Sequence, residues 1–372
     1  MASGDRFAHI DSLRAIAALL VVWTHAAEIF AGLGGVLTSA WVHETAHRFD
    51  FGRIGVVAFF GVSGFLIPSS LKPGAPDAVR NFLIRRFWRL YPAFWVSIPL
   101  AYAIIWLPFG RTPSLQDITL NFTMMPEWLG SAPAMGLYWT LQIELLFYAI
   151  CLGLLATGLL RRGGAMAGCL TVSMGAFGFL MLATLLKLNT GELAILAFNL
   201  SAMFVGAVWR RFLDGMVGAW LERLILAGAC AVFLVLLPAF GAVMLKVAGP
   251  SEFWFRFPAS YGLGMAVFLL MTSLVKVRWG PLAAVGRASY SLYLMHPLVI
   301  YAAFWLMQKA GVSDGDVGLL TLASMAGSIA LAFVAYFLVE KPAIAIGRRM
   351  TDGGMTGGGM TGGRAGVEHA AP

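Results

Sequence analysis

Ile10-Asp-Ser-Leu-Arg-Ala-Ile-Ala-Ala-Leu-Leu-Val-Val-Trp-Thr-His25 is an apolar run with an arginine near its start and a histidine at its end. Taken as 10–30, it is long enough to cross a hydrocarbon core of about 30 Å, which needs roughly 20 helical residues. A cleaved secretory leader has a shorter apolar core, and further apolar runs follow this one, so it reads as a signal anchor that stays. Arg14 and His25 are eleven residues apart. At about 100° per residue they project within roughly 20° of one another, roughly 16 Å apart along the axis.

Outward from this run the same texture repeats. Apolar spans are expected at 10–30, 54–71, 92–108, 139–160, 166–186, 193–209, 220–240, 257–275, 288–307 and 317–339. Hydrophobic residues make up 59% of the chain and charged residues 12%, so no soluble core has to be sought. Each span is read as a helix, because a helix satisfies its own backbone polar groups in lipid. The expected fold is all-α, a polytopic membrane bundle of about ten helices. A membrane domain of 1–350 is followed from Thr351 by a Gly-rich tail that repeats Met-Thr-Gly-Gly and is expected to be disordered.

The net charge of +8 does not point to nucleic acid. The basic residues sit in short blocks between spans, and most of the 26 Lys and Arg fall on one side of the alternation. That side is expected to be cytoplasmic, with both termini there. Two loops on the other side, 31–53 and 109–138, are long enough to cover an acceptor. Cys151, Cys169 and Cys230 all lie inside apolar runs without metal-ligand spacing, as small buried residues do.

Ionisable groups within spans are expensive and mark function. His25 is a natural general base, its ordinary pKa lying near neutrality; its plainer reading is a hydrogen-bonded interior histidine. Arg14 lines the same face or simply snorkels to the interface. In Tyr138-Trp-Thr-Leu-Gln-Ile-Glu-Leu-Leu-Phe-Tyr148, Glu144 lies at the expected depth of His25, so a carboxylate–imidazole pair is predicted from depth alone. Trp139 and Tyr148 are further candidates there. In Asn81-Phe-Leu-Ile-Arg-Arg-Phe-Trp-Arg-Leu-Tyr-Pro92, Arg85 and Arg89 are i,i+4 neighbours with Arg86 beside them. Such a cluster binds phosphates or anchors the chain at the membrane surface. His296, in Ser289-Tyr-Ser-Leu-Tyr-Leu-Met-His-Pro297, stands where Pro297 is expected to break or bend the span and free carbonyls for it.

His43-Glu44-Thr45-Ala46-His47 matches the zinc-protease pattern but sits in a loop, with no third ligand at a metzincin-like spacing; no metal is expected. Gly52, Gly55, Gly61 and Gly64 are read as sites of close helix packing.

Six segments, in order, resemble the acyltransferase-3 family of bacterial integral-membrane acyltransferases. They are Ile10 to His25, Gly55 to Ile67, Arg85 to Pro92, Trp139 to Tyr148, Ser289 to Pro297, and Val339-Glu-Lys-Pro342. The second departs from the common pattern, with Val57 where an acidic residue is frequent and Gly61 where a larger apolar one is usual. The resemblance implies an acyl-CoA co-substrate, usually acetyl-CoA, no permanently bound cofactor, and O-acylation of a carbohydrate or glycolipid at a bacterial inner membrane. It implies roles for Arg14, His25, the arginine motif and Glu144. The soluble esterase-like domain often appended in the family is not expected here. The rival reading, from the intramembrane His and Glu, is a proton-coupled transporter of a polar solute or lipid-linked sugar; no internal repeat supports it.

Overall fold

A computed structural model describes residues 8–31, 50–75, 77–247, 252–311 and 317–352. Among these the chain is helical, with no strand. The apolar run at the N-terminus forms α1 (Ala8–Ala31), and its neighbours in sequence form α2 (Phe51–Ser70) and α3 (Ala78–Ala101). α3 runs on through a π-turn at Tyr102–Trp106 and a 3-10 turn at Leu107–Phe109. Then come α4 (Leu115–Asn121), α5 (Trp139–Ala156), α6 (Ala165–Leu185) and α7 (Gly191–Leu213). α8 (Trp220–Ala231) joins α9 (Leu237–Val247) through a second π-turn, Val232–Leu236. After α10 (Glu252–Ser273), α11 (Gly280–Arg287) and α12 (Ser289–Lys309), α13 (Val317–Ala335) joins α14 (Lys341–Asp352) through a third, Tyr336–Glu340.

Nine helical stretches among the described residues are long and apolar enough to cross a membrane, which makes the chain a polytopic helical membrane protein. The expected span at 257–275 is α10, which carries Arg256, Pro258 and Ser260 and is not among the nine, although it packs on α2 and α9. Two expected boundaries are corrected. The span placed at 92–108 begins at Ala78, because Pro92 and Pro99 are accommodated inside one helix, so the arginine motif lies on the span itself. The last helical stretch continues past 339 to Asp352. Thr351 and Asp352 are thus helical, and the rest of the Gly-rich tail lies outside the described residues.

The bundle centres on α2, which lies between α1 on one side and α7 and α10 on the other. In lipid no hydrophobic force drives helices together, so close van der Waals approach has to. The glycines of α2 permit it. A Cβ on Gly55 would fall 2.3 Å from the Ala17 carbonyl oxygen of α1, and one on Gly64 would fall 1.7 Å from that of Met203 on α7. Asp50 caps the start of α2, accepting from the Arg53 backbone N–H at 2.8 Å, an interaction worth roughly 1 kcal/mol. Phe94, Tyr138, Phe147, Phe204 and Phe268 fill the core.

Of the two long loops, most of 31–53 lies outside the described residues, including His43 and His47. The other, 109–138, is ordered by its own side chains. Ser114 and Asp117 form a capping box on α4. Asn121 binds across the loop, donating to the Ala132 carbonyl at 3.0 Å and accepting from the Ala134 N–H at 2.8 Å. Hydrogen bonds from Ser114, then Ser131, hold the Asp117 carboxyl down at about 2.

Candidate active site

Two cavities meet inside the bundle. The first, of about 190 Å³, is lined by Arg14 of α1, Ser63 of α2, Arg86 and Arg89 of α3, Glu144 of α5 and Tyr290 of α12. The second, of about 340 Å³, is lined by His25 and Glu28 of α1, Asp50, Arg53, Trp139 and Arg256. Val56 and Tyr293 line both and form the partition between them. Tyr293 is fixed there. Its hydroxyl lies 2.8 Å from the Leu137 carbonyl oxygen and 2.6 Å from the Thr140 hydroxyl.

Arg14 and His25 lie on the one helix α1, as expected, and open into different cavities. No hydrogen bond or ion pair among the described residues engages the Arg14 guanidinium. Arg86 reaches Ser70 at 3.4 Å and lies over the Phe82 and Tyr148 rings at 5.3 and 5.2 Å. Arg89 stands 3.8 Å from Glu340, a fully buried carboxylate. Its other oxygen accepts from the Ser291 hydroxyl at 2.6 Å and the Ser291 N–H at 3.2 Å. Glu340 ends the third π-turn, whose extra residue turns it back toward α3.

Arg85 is corrected. It faces away from the cavity, donating to Thr351 at 2.8 Å and to Asp352 at 2.7 Å, and so fastens α14 to α3. The helix face facing the cavity is the i,i+3 pair Arg86 and Arg89, not the i,i+4 pair.

The predicted Glu144–His25 pair does not form. Glu144 accepts from the Tyr148 hydroxyl, one turn along its own helix, and lines the arginine cavity. Depth along a helix was readable, but rotation about the axis is set by packing, and α5 turns Glu144 toward α3. The partner of His25 is His296. The His25 Nδ1 lies 2.8 Å from the His296 Nε2, with the two rings nearly parallel, 8° apart, at 5.1 Å between centroids. The His296 Nδ1 lies 3.1 Å from the Leu292 carbonyl oxygen.

These contacts fix the protons. A carbonyl only accepts, so the His296 Nδ1 carries a hydrogen, and the neutral ring then presents a lone pair at Nε2. The His25 Nδ1 must donate to that lone pair. The remaining nitrogen of His25, Nε2, is left as the basic one; this is an assignment from partners. Of the expected break or bend at Pro297, the break does not occur, for α12 is continuous from Ser289 to Lys309 with Pro297 inside it. One signal for His296 was present in the sequence: Ser289, Tyr293 and His296 recur at i, i+4 and i+7, one polar face on an apolar helix.

The histidine cavity is otherwise charged but balanced. Arg256 pairs with Glu28 at 3.0 Å and Arg53 with Asp50 at 3.2 Å, while Arg53 also lies 4.2 Å from the Phe257 ring centre. Trp139 lines the same cavity and packs edge-on against Phe60. No cluster of His, Cys, Asp and Glu suited to a metal occurs among the described residues.

The fold and the paired cavities define a multi-pass helical membrane protein with charged side chains lining its interior. Residues 7–337 match the acyltransferase-3 family, described as an acyltransferase domain. The chain belongs to that family and is a membrane acyltransferase. It is 25% identical over 376 residues to nodulation protein 10 of Rhizobium leguminosarum bv. viciae, covering 91% of this chain and 93% of the relative. It is 26% identical over 322 residues to the exopolysaccharide production protein ExoZ of Rhizobium meliloti (strain 1021), covering 83% and 96%. It is 26% identical over 379 residues to the putative membrane-bound transacylase BcsY of Komagataeibacter xylinus, covering 91% and 83%. No solved structure matches the chain significantly. All six family-like segments contribute residues to the two cavities or, through Glu340, to the residues lining them.

Proposed function

We propose that the protein transfers an acyl group, most simply acetyl, from coenzyme A to a hydroxyl of a carbohydrate at the opposite membrane face. The observation that carries this reading is the partition. A cavity rich in arginine and a cavity holding a basic histidine share a wall of two side chains, Val56 and Tyr293. Arg14, Arg86 and Arg89 suit the polyanionic nucleotide end of coenzyme A, since guanidinium forks bind phosphate through paired hydrogen bonds. The long flexible arm then reaches past Tyr293 toward His25, a distance of roughly 16 Å along α1 from Arg14. Glu144, with Tyr148, belongs to the donor cavity and tunes its charge. On this reading the donor cavity opens to the cytoplasmic side of a bacterial inner membrane, with both termini there, which the one-sided distribution of the basic blocks supports.

In the transfer, the His25 Nε2 takes the proton of an acceptor hydroxyl as its oxygen attacks the thioester carbonyl. The new C–O bond forms, the C–S bond breaks, and the thiolate leaves with the proton that His25 carries. His296 holds the His25 ring in the tautomer that leaves Nε2 free, and spreads the positive charge that develops. The balanced cavity around His25, walled by Trp139, suits a polyhydroxyl acceptor. ExoZ, a relative named for exopolysaccharide production, supports a carbohydrate.

The test is transfer from radiolabelled acetyl-CoA in membrane vesicles, comparing wild type, His25→Ala and Arg86→Ala at equal expression. Label in a carbohydrate fraction that is lost in both variants supports the reading. Label unaffected by either variant removes the site assignment, and failure of wild type with every acyl-CoA supplied removes the donor.

A further inference from the structure

α5 and α6 follow one another through a short connection containing the 3-10 turn Leu159–Arg161. Antiparallel helices joined so closely ordinarily pack together. These scarcely touch: α6 lies along α7, α5 meets α7 separately, and a cleft of about 720 Å³ is left between them. Its walls are Ile150 and Leu154 of α5, Gly168 and Val172 of α6, and Leu200 and Phe204 of α7. The cleft is open because α6 presents small residues to it; a Cβ on Gly168 would meet nothing within 4 Å.

Water is a poor occupant. The one hydroxyl in the walls, Ser173, already donates to the Leu170 carbonyl at 3.0 Å, and inward of Arg162 at the mouth no charged side chain lines the cleft, so ordered water would find few partners there. The cleft runs along α6 from Ala165 to Ala176, roughly 16 Å by helical rise. That is close to one leaflet of a hydrocarbon core about 30 Å thick. α6 is among the least enclosed of the spans, so the cleft faces lipid. At its mouth the guanidinium of the exposed Arg162 makes no hydrogen bond or ion pair among the described residues. Arg211 and Glu222 approach the neighbouring Gly163, and with Arg161 the end is net positive.

We propose that this cleft is a binding site for one glycerophospholipid of the surrounding bilayer, with an acyl chain between α5 and α6 and its anionic phosphate on Arg162. The site is separate from the acyl-transfer cavities and supplies the packing that α5 and α6 do not give each other.

The test reconstitutes wild type, Gly168→Ala, Gly168→Leu, Val172→Phe and Arg162→Gln in nanodiscs of equal phosphatidylglycerol and phosphatidylcholine. Retained lipid is then weighed by native mass spectrometry. Wild type and Gly168→Ala are expected to keep one phosphatidylglycerol. Gly168→Leu and Val172→Phe, which fill the cleft, are expected to lose it. Arg162→Gln is expected to keep a lipid while losing about fivefold of the preference for the anionic headgroup. Val172 is lipid-facing, 72% exposed, and decides the matter if Gly168→Leu fails to fold. Equal retention by the filled variants, or no headgroup preference in wild type, overturns the proposal. A polyisoprenyl phosphate co-purifying in place of a glycerophospholipid would overturn the assigned occupant.

Discussion

The arginine cavity and the histidine cavity treat charge in opposite ways. Around the first, Arg14, Arg86 and Arg89 face one lining carboxylate, Glu144, with Glu340 behind Arg89. Around the second, each arginine is matched within the cavity, Arg256 by Glu28 and Arg53 by Asp50. A buried cation without its counter-charge is costly, so an excess of guanidinium is tolerable where an anion is to arrive. The balanced cavity has no such vacancy to fill, and its chemistry falls to a neutral ring. On the proposed reading one bundle holds an anion receiver and a proton acceptor, with Val56 and Tyr293 between them.

The comparison breaks most readily at His25. His25→Ala is expected to lower turnover by about 10²- to 10⁴-fold, with the KM for acyl-CoA unchanged, since no donor-cavity residue is touched. A raised KM with normal turnover would erase the division between the cavities. Arg86→Ala is expected to do the converse, raising the acyl-CoA KM by roughly 10- to 150-fold, the value of a hydrogen bond to a charged group. Steady-state kinetics in vesicles separates the two.

His296→Phe removes the acceptor for the His25 Nδ1–H and is expected to lower turnover about tenfold, less than loss of the base itself. His296→Gln, whose amide oxygen still accepts, is expected to recover part of it. Equal activity of both variants would mean the ring contact is packing alone. Glu144→Gln tests the donor cavity from the other direction. Removing its negative charge is expected to lower the acyl-CoA KM by about two- to fivefold, as for a partly solvated ion pair, and to leave the pH profile of turnover in place. A collapse of turnover would return Glu144 to the proton-transfer chain.

The smallest effect lies outside both cavities. The Asp117 carboxyl is held down at about 2, below the ordinary 3.9 or so of an unfolded chain. A depressed carboxylate stabilises above its unfolded value and loses that contribution as pH falls through the folded one. Amide protection in the 115–121 helix, taken relative to the intrinsic exchange rate at each pH, is therefore expected to fall between about pH 4 and pH 2, and Asp117→Asn to abolish that dependence.

The helices were legible because membrane depth is written in runs of apolar residues, and Arg14 and His25 could be put on one face because they belong to one helix. What failed was everything requiring rotation between helices. Glu144 has the predicted depth but faces α3 rather than His25. Arg85 looks equivalent to Arg89 until α14, more than 250 residues later, claims it through Thr351 and Asp352. His296 was a candidate read through Pro297 and freed carbonyls, and its pairing with His25 was not foreseen, although the spacing of Ser289, Tyr293 and His296 marked the polar face. Glu340 was visible only as part of a family-like segment, because a π-turn interrupts the periodicity that would have aimed it.

The partition formed by Val56 and Tyr293 has a consequence for the cell's energy economy. On the proposed route a thioester reaches across this wall while the wall itself stays put, held by the contacts of Tyr293 with Leu137 and Thr140. An acyl group then crosses without the rocking of halves that a carrier needs, and without a continuous water column. The same tyrosine would be the seal that keeps protons from following the acyl group, so that a membrane holding many copies of this enzyme keeps its potential.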